Sequence, residues 1–437
     1  MNRVAESDSL EWRSLTVLTE ETGLKERIRH QVMRQMDLTE SLSDDAIGQI
    51  IDRCILEETK RNYIPLKEKI QLKRELFNSF RRLDVITEFL EQDDISEIMV
   101  NGQQKIFIER NGYVVRTDKC FESADKLTAV TQQIVAECDR RINESNPIVD
   151  ARLKDGSRVN IVMNPVSLSG PVITIRKFPH KIMDMNKLCE LGALTEEVAA
   201  LLKLLVKAKY NIFISGGTGS GKTTFLNALA EYIPKDERII TIEDSAELRL
   251  SGVDNLVRLE ARNANVSGEG EITIRDLIKT SLRMRPDRII VGEVRDSAAI
   301  DMLQAMGTGH EGSISTGHAN SAEDILSRLE TMVLMGMEIP VIAVRKQIAS
   351  SIDLIIHLGR MRDKSRKVLS IDEVVGMENG EIRLNKLYEF VETGKADQYK
   401  KIMGKLVKVN ELMHTEKLMA QGLFGKYEEA FVEAEYV

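Results

Sequence analysis

The sequence predicts an α/β fold, preceded by an α+β domain and a small N-terminal helical domain. Three observations predict it. After Thr195, short apolar strands alternate with helical runs. Between Glu97 and Arg176 the apolar pattern changes to period two and is broken by Asn-Gly and Asp-Gly turns. Upstream of Glu97, apolar residues recur at helical spacing among many charges. The 437 residues can bury a proper core and suit roughly three domains at about 150 residues each.

Residues 1–91 are read as the helical region. Ser43-Asp44-Asp45 caps a helix running to Arg61, with Ile47, Ile50, Ile51, Cys54 and Ile55 on one face. Pro65 opens a second helix through Leu66, Leu76 and Phe80. Residues 92–180 are the α+β domain. It starts with a strand at Glu97–Val100, turns at Asn101-Gly102 and again at Asn111-Gly112, continues in a helix from about Ser123 to Arg141, and ends with a strand at Val172–Arg176. Residues 181–192 are the expected linker. Residues 193–390 form the α/β domain, with strands at Asn211–Ser215, Arg238–Ile242, Arg288–Val291, Ser313–Ser315 and Ile352–Leu358. Residues 391–437 are expected to be a helical tail, with amphipathic helices at Lys405–Met419 and Tyr427–Tyr436.

Composition excludes several classes. Hydrophobic residues at 42% and charged residues at 30% argue for a globular chain and against disorder. With 61 Lys plus Arg against 69 Asp plus Glu, the net charge of −8 opposes a broad nucleic-acid-binding surface. Aromatics at 5% oppose base stacking on single strands. No apolar run reaches the ~18 residues of a membrane span. Glu6 and Asp8 and the lack of an apolar core argue against a secretory signal at the N-terminus, and no lipidation motif is present. Cys54, Cys120, Cys138 and Cys189 form no C-x-x-C pair, so free thiols in a reducing cytosol are expected rather than a zinc site.

Gly216-Gly217-Thr218-Gly219-Ser220-Gly221-Lys222-Thr223 fits G-x-x-x-x-G-K-[ST] between a strand and a helix. The glycines let successive N–H groups turn inward as an anion nest, and the helix that follows, starting near Thr224, aims its positive end at the same point. Lys222 then reaches the β- and γ-phosphates of a nucleotide, and the Thr223 hydroxyl can ligate Mg²⁺. Two further strands end in acids, Glu243-Asp244 and Gly292-Glu293, which places carboxylates at the phosphate crevice. Magnesium needs hard oxygens, and an attacking water needs a positioned carboxylate. Where the usual second nucleotide motif ends in Asp, this chain has Gly292. No Asn/Thr-Lys-x-Asp sequence reads guanine, so adenine is expected. His310 and His318 flank one more strand and are expected at the same crevice. There a neutral imidazole senses a γ-phosphate or holds a water.

Four boxes together resemble the type II/type IV secretion and pilus-assembly ATPases, and within them the Flp/Tad ATPases of the CpaF type. They are Gly216–Thr223, Ile240–Leu248, Ser281–Arg295 and Gly307–Asn320. The resemblance implies a RecA-like P-loop ATPase domain that hydrolyses ATP with Mg²⁺. It implies a homo-hexamer, cytoplasmic at the inner face of the plasma membrane. The ring would drive an inner-membrane platform protein and associate with the membrane only through that partner. On the same resemblance, Glu293 activates water and Glu243 is the acidic-box carboxylate beside Mg²⁺. His318 stands near the γ-phosphate, with His310 a weaker match. Arg158 and Arg176 reach the phosphates from the preceding domain. Arg295 is followed by Asp296 where the family commonly has Gly, and the proline pair expected near Ala261–Val266 is missing. Two other readings compete: a RecA-like hexameric motor on nucleic acid, and a nucleotide switch that does not hydrolyse.

Overall fold

The computed structural model describes residues 23–36, 42–138, 140–178, 183–262, 264, 269–394 and 402–432. The chain divides into two compact units, Met1–His180 and Lys181–Val437.

In the first unit a helix at 23–35 (α1) packs with α2 (Asp44–Thr59) and α3 (Leu66–Arg81) around Ile28, Val32, Ile47, Ile51, Cys54 and Leu76. Ser43 caps α2, its hydroxyl accepting the Ala46 N–H at 3.2 Å. Cys54 is a free buried thiol whose pKa is pushed up by that burial. A short helix, α4 (Val85–Leu90), leads into an antiparallel sheet. Its strands are β1 (Ile95–Asn101), β2 (Ile106–Arg110), β3 (Tyr113–Arg116), β4 (Ile148–Arg152), β5 (Arg158–Val162) and β6 (Val172–Arg176), in the order β3-β2-β1-β6-β5-β4. Period-two alternation sends Ile98, Val100, Val159, Ile161, Ile173 and Ile175 to one face, where α5 (Ala124–Glu137) covers them with Leu127, Val130 and Ile134. Gly102 makes the β1–β2 turn at φ 73°, and a Cβ there would stand 2.6 Å from the Ser169 carbonyl oxygen.

The second unit is built on a nine-stranded sheet in the order β15-β14-β13-β12-β7-β11-β10-β8-β9. Six strands run parallel: β7 (Ile212–Gly216), β8 (Ile239–Glu243), β9 (Leu256–Glu260), β10 (Arg288–Val291), β11 (Ile314–Gly317) and β12 (Leu354–Arg360). Adjacent residues on these strands feed two different cores. Ile212, Ile214 and Ile290 join the core of α7 (Glu196–Lys207) and α8 (Lys222–Ala230). Phe213, Ile289 and Val291 join that of α9 (Ile274–Ser281), α10 (Ala298–Gly307), α11 (Ala322–Gly336) and α12 (Val341–Ser351). This two-sided burial explains why the strands read as continuous apolar runs.

Three stretches differ from expectation. The described part of the expected linker carries α6 (Met185–Glu190), capped by Asp184 and burying Met185 and Leu188 in the α7–α8 core. The parallel sheet is extended by an antiparallel hairpin, β13 (Arg366–Glu378) and β14 (Glu381–Glu392), turned by Asn379 and Gly380 at φ 52° and 85°. The tail is not simply helical. Gly404–Lys408 is strand β15 on the sheet edge, where Leu406 points inward between exposed Lys405 and Val407. Among the described residues helices follow only at α13 (Glu416–Ala420) and α14 (Phe424–Tyr427), which runs into a π-turn, Glu428–Val432; the remainder of the expected Tyr427–Tyr436 helix lies outside the described residues. The Glu373 carboxylate anchors this segment, accepting the N–H groups of Met413 at 2.9 Å and His414 at 2.7 Å. Among the described residues no helix is long and apolar enough to cross a membrane.

Asp372 on β13 is 1% exposed, and burial pushes its pKa from 3.8 up to about 6, against a Ser370 hydroxyl donor and the Lys386 charge. The native state therefore takes up a proton before the unfolded chain does. The stability this adds is complete below 3.8 and is lost as pH rises through about 6. Asp372→Asn is expected to raise unfolding stability by roughly 1–3 kcal/mol at neutral pH and to flatten its rise on acidification. Urea titrations on either side of that window test it.

Candidate nucleotide site

β7 ends at Gly216 in the middle of the parallel sheet, and α8 begins at Lys222. Between them the loop folds back on itself, the Ser220 hydroxyl donating to the Gly217 carbonyl at 2.9 Å. Glycine is required at both ends. A Cβ on Gly216 would lie 2.5 Å from the Leu358 carbonyl oxygen, and Gly221 caps α8 at φ 95°. Gly217 and Thr218 are exposed and Ser220 is buried. A glycine-rich loop leading into the start of a helix suits a phosphate chain.

Lys222 is buried and donates to the carbonyls of Gly216 at 3.0 Å and Gly217 at 3.1 Å. It also stands 3.2 Å from His318 Nδ1. An ammonium can only donate, so Nδ1 is the acceptor and the ring hydrogen sits on Nε2. Nε2 faces Glu293 Oε1 at 2.8 Å, close but without hydrogen-bond geometry, and this oxygen is left without a well-aimed donor. Arg295 holds the other oxygen, donating to Glu293 Oε2 at 2.7 Å, and its second arm reaches Asp244 at 3.4 Å. The ends of β7, β8, β10 and β11 are thus joined by one line of polar groups. Burial, joined by the Lys222 and Arg295 charges, lowers the His318 pKa and keeps the ring neutral. Burial alone would raise the Glu293 carboxyl. The Arg295 hydrogen bond and the surrounding positive charge outweigh it and hold Glu293 below the usual range, hence ionised.

Glu243 ends β8 and is 3% exposed. Its Oε1 accepts the N–H groups of Glu247 at 2.8 Å and Leu248 at 2.9 Å, while Oε2 is buried without a donor. Burial raises its pKa against those two amides. Glu243 also explains the missing Asp of the second motif. A Cβ on Gly292 would stand 3.0 Å from Glu243 Cγ, so the neighbouring strand's carboxylate fills that space. Gly292→Asp is expected to lower unfolding stability by about 1–3 kcal/mol through overpacking, with added repulsion from the buried carboxylate. Thermal melting checks it. The Thr223 hydroxyl in the first turn of α8 and the undonated Glu243 Oε2 are hard oxygens of the kind Mg²⁺ takes. Among the described residues no His, Cys, Asp and Glu cluster could hold a metal by itself.

The two histidines part company. His318 follows β11 at the loop end of the sheet, whereas His310 precedes β11 at the opposite end. His310 is therefore not at this site. Its neighbour Gly312 serves a structural contact, because a Cβ there would lie 2.4 Å from the buried Arg288 Nη1. Asp296, where Gly is usual, caps α10 locally by accepting the Ala298 N–H at 2.9 Å. Arg262 is described, but Asn263 and residues 265–268 lie outside the described residues. Arg158 and Arg176 belong to the first unit, directly opposite each other on β5 and β6, with Arg152 opposite Arg158 and Glu97 opposite Arg176. Sequence reading left Arg295 without a role. Its signal was the two-residue step from Glu293 just past a strand.

The family model for type II/IV secretion system proteins matches residues 81–428. A putative conjugal transfer protein of Mycobacterium tuberculosis is 33% identical over 293 residues, 66% of this chain and 83% of that protein. The type IV secretion system protein PtlH of Bordetella pertussis is 34% identical over 315 residues, covering 66% of this chain and 93% of its own length. The probable conjugal transfer protein TrbB of Sinorhizobium fredii is 32% identical over 311 residues, 70% and 92% of the two chains. The solved structure of the Yersinia pseudotuberculosis ATPase DotB aligns with a TM-score of 0.50 at 18% identity, covering 68% of this chain and 79% of that one, a likeness of fold. The second unit accordingly has the RecA-like P-loop fold. With the matched region spanning most of its length and carrying the nucleotide boxes, this chain belongs to the type II/IV secretion system protein family.

Proposed function

We propose that this chain is a Mg²⁺-dependent ATPase that powers protein secretion or Flp/Tad-type pilus assembly. It works as a homo-hexamer at the cytoplasmic face of the inner membrane and drives a platform protein there. The observation that carries the reading is the line Lys222–His318–Glu293–Arg295, which links the phosphate loop to an ionised carboxylate across neighbouring strand ends. Such a line suits a site where a triphosphate is both gripped and cut.

The amides from Gly217 to Thr224 and the Lys222 ammonium hold the phosphate chain. Thr223 and Glu243 hold Mg²⁺, which when bound neutralises charge on the β- and γ-oxygens. Glu293 orients the attacking water. Low basicity fits this task, because a loose phosphoryl-transfer transition state asks for positioning more than early proton removal. Neutral His318 stands between Lys222 and Glu293 and passes on changes at the phosphate. Arg158 and Arg176 supply further cations to the phosphates. The two stand opposite each other on adjacent strands, with Glu97 3.9 Å from Arg176. The Flp/Tad assignment rests on the resemblance of the four boxes at 216–223, 240–248, 281–295 and 307–320.

Phosphate release with and without Mg²⁺, for wild type and Lys222→Ala, tests the activity, and native mass spectrometry with ATP tests the ring. Wild type is expected to turn over only with Mg²⁺, and Lys222→Ala to lose at least about a hundredfold. Equal release from both proteins would end this reading, and stimulation by DNA would favour a nucleic-acid motor.

A further inference from the structure

We propose that His357, buried on β12, is a positioning residue for ATP hydrolysis: it ties the loop that carries His318 to the strand that feeds the phosphate loop, and so holds His318 between Lys222 and Glu293. The inference rests on the ATPase reading above and adds to it a residue that acts through His318.

β12 runs parallel to β7 and sets His357 directly beside Ser215, the residue before Gly216. His357 is 7% exposed and Ser215 is fully buried. Alternation along the two strands puts both side chains on the sheet face of Phe213 and Ile355, which belong to the core of α9 to α12. The Ser215 hydroxyl and His357 Nδ1 are 2.9 Å apart. The ring also hydrogen-bonds to the Asn320 backbone. That bond favours the protonated form, so the ring is the donor and the Asn320 carbonyl the acceptor. Burial lowers the His357 pKa against this bond and the Glu323 and Asp324 charges, and a neutral imidazole has one donor and one acceptor. With its N–H given to Asn320, Nδ1 accepts from the Ser215 hydroxyl.

These two bonds close a circuit. Ser215 leads into Gly216, whose carbonyl accepts from Lys222 at 3.0 Å. Lys222 stands 3.2 Å from His318 Nδ1, and Asn320 lies two residues beyond His318. His318 is thus reached from the phosphate loop by Lys222, and its own loop is reached from the sheet by His357. Strand pairing does not do this, because the β7–β11 ladder ends at Ser215 and Gly317 and leaves His318 to Asn320 beyond it. A buried imidazole on an apolar sheet face costs free energy unless both nitrogens are bonded. The polar pair does what an apolar side chain cannot: it fixes one strand end and one loop to each other.

Single-turnover phosphate release and MgADP titration of the full chain test the proposal. The proteins are wild type, His357→Phe, His357→Gln and Ser215→Ala, with His357→Phe repeated in a His318→Gln background. His357→Phe fills the space and removes both bonds; it is expected to slow hydrolysis about tenfold while MgADP affinity stays within about twofold. His357→Gln, which can still donate and accept, should recover most of the rate. In the His318→Gln background the same Phe substitution should cost less than about twofold, because the residue it acts through is already gone. Ser215→Ala changes little volume and should slow hydrolysis by about threefold or more, and it replaces His357→Phe as the deciding variant if the latter melts early. Hydrolysis within about twofold of wild type in the folded variants would overturn this inference alone. So would an equal slowing with and without His318, or a loss carried by MgADP affinity rather than by rate. A wild type without turnover would overturn it together with the ATPase reading.

Discussion

Glu293→Gln is expected to bind MgATP as wild type does and to hydrolyse it about a hundred- to ten-thousand-fold more slowly. The substitution keeps shape and removes one negative charge. Its amide oxygen can still accept from Arg295, so the strand ends stay linked. What disappears is the ionised oxygen facing His318, the one that has no well-aimed donor of its own. In the proposed mechanism that oxygen accepts from the attacking water. The phosphate loop and Lys222 are untouched, which is why binding survives. Equilibrium titration with a fluorescent adenine nucleotide and single-turnover phosphate release separate the two effects. Wild-type turnover in this variant would transfer the water-orienting role to Glu243, whose Oε2 at the neighbouring strand end is likewise buried without a donor.

The features readable from sequence are those with a local code. The phosphate loop, the helix caps at Ser43 and Ser123, and the acids just past strands all depend on neighbours within a few residues. His310 shows where that code stops. A box of sequence does not state which end of a strand each residue occupies, and the four residues of β11 are enough to send His310 and His318 to opposite ends of the sheet. Gly292 was visible as a departure, but its cause, the Glu243 side chain on the adjacent strand, exists only once β8 and β10 pair. The tail misled for a related reason. Lys405–Met419 has helical composition, yet pairing with β14 makes a strand at Gly404–Lys408. By contrast Asn379-Gly380, flanked by alternating residues, is a local hairpin signal carried by the sequence itself.

Arg288→Ala is expected to lower stability by about 3–5 kcal/mol, the usual cost of removing one partner from a buried ion pair. Arg288 opens β10 and is fully buried. Its Nε and Nη2 grip the Glu237 carboxylate, the latter at 3.0 Å, while Nη1 donates to the carbonyls of Val206 at 2.7 Å and Gly312 at 3.3 Å. One side chain therefore satisfies groups from the end of α7, the loop before β8 and the turn before β11. Alanine leaves all of them without this donor, and it leaves a largely buried carboxylate without its cation. For a unit of this size the melting midpoint should fall by roughly 6–20 °C. A rescue separates loss of charge balance from loss of packing. Arg288→Met combined with Glu237→Met removes both charges and should recover most of the stability, since an apolar pair of similar volume commonly replaces a buried ion pair without penalty. Glu293 sits at the far end of the same strand, so nucleotide binding measured well below the melting point should survive in the double variant. A cost below about 1 kcal/mol for Arg288→Ala would mean that water or a neighbouring donor replaces the guanidinium, and that β10 is held by its apolar faces alone.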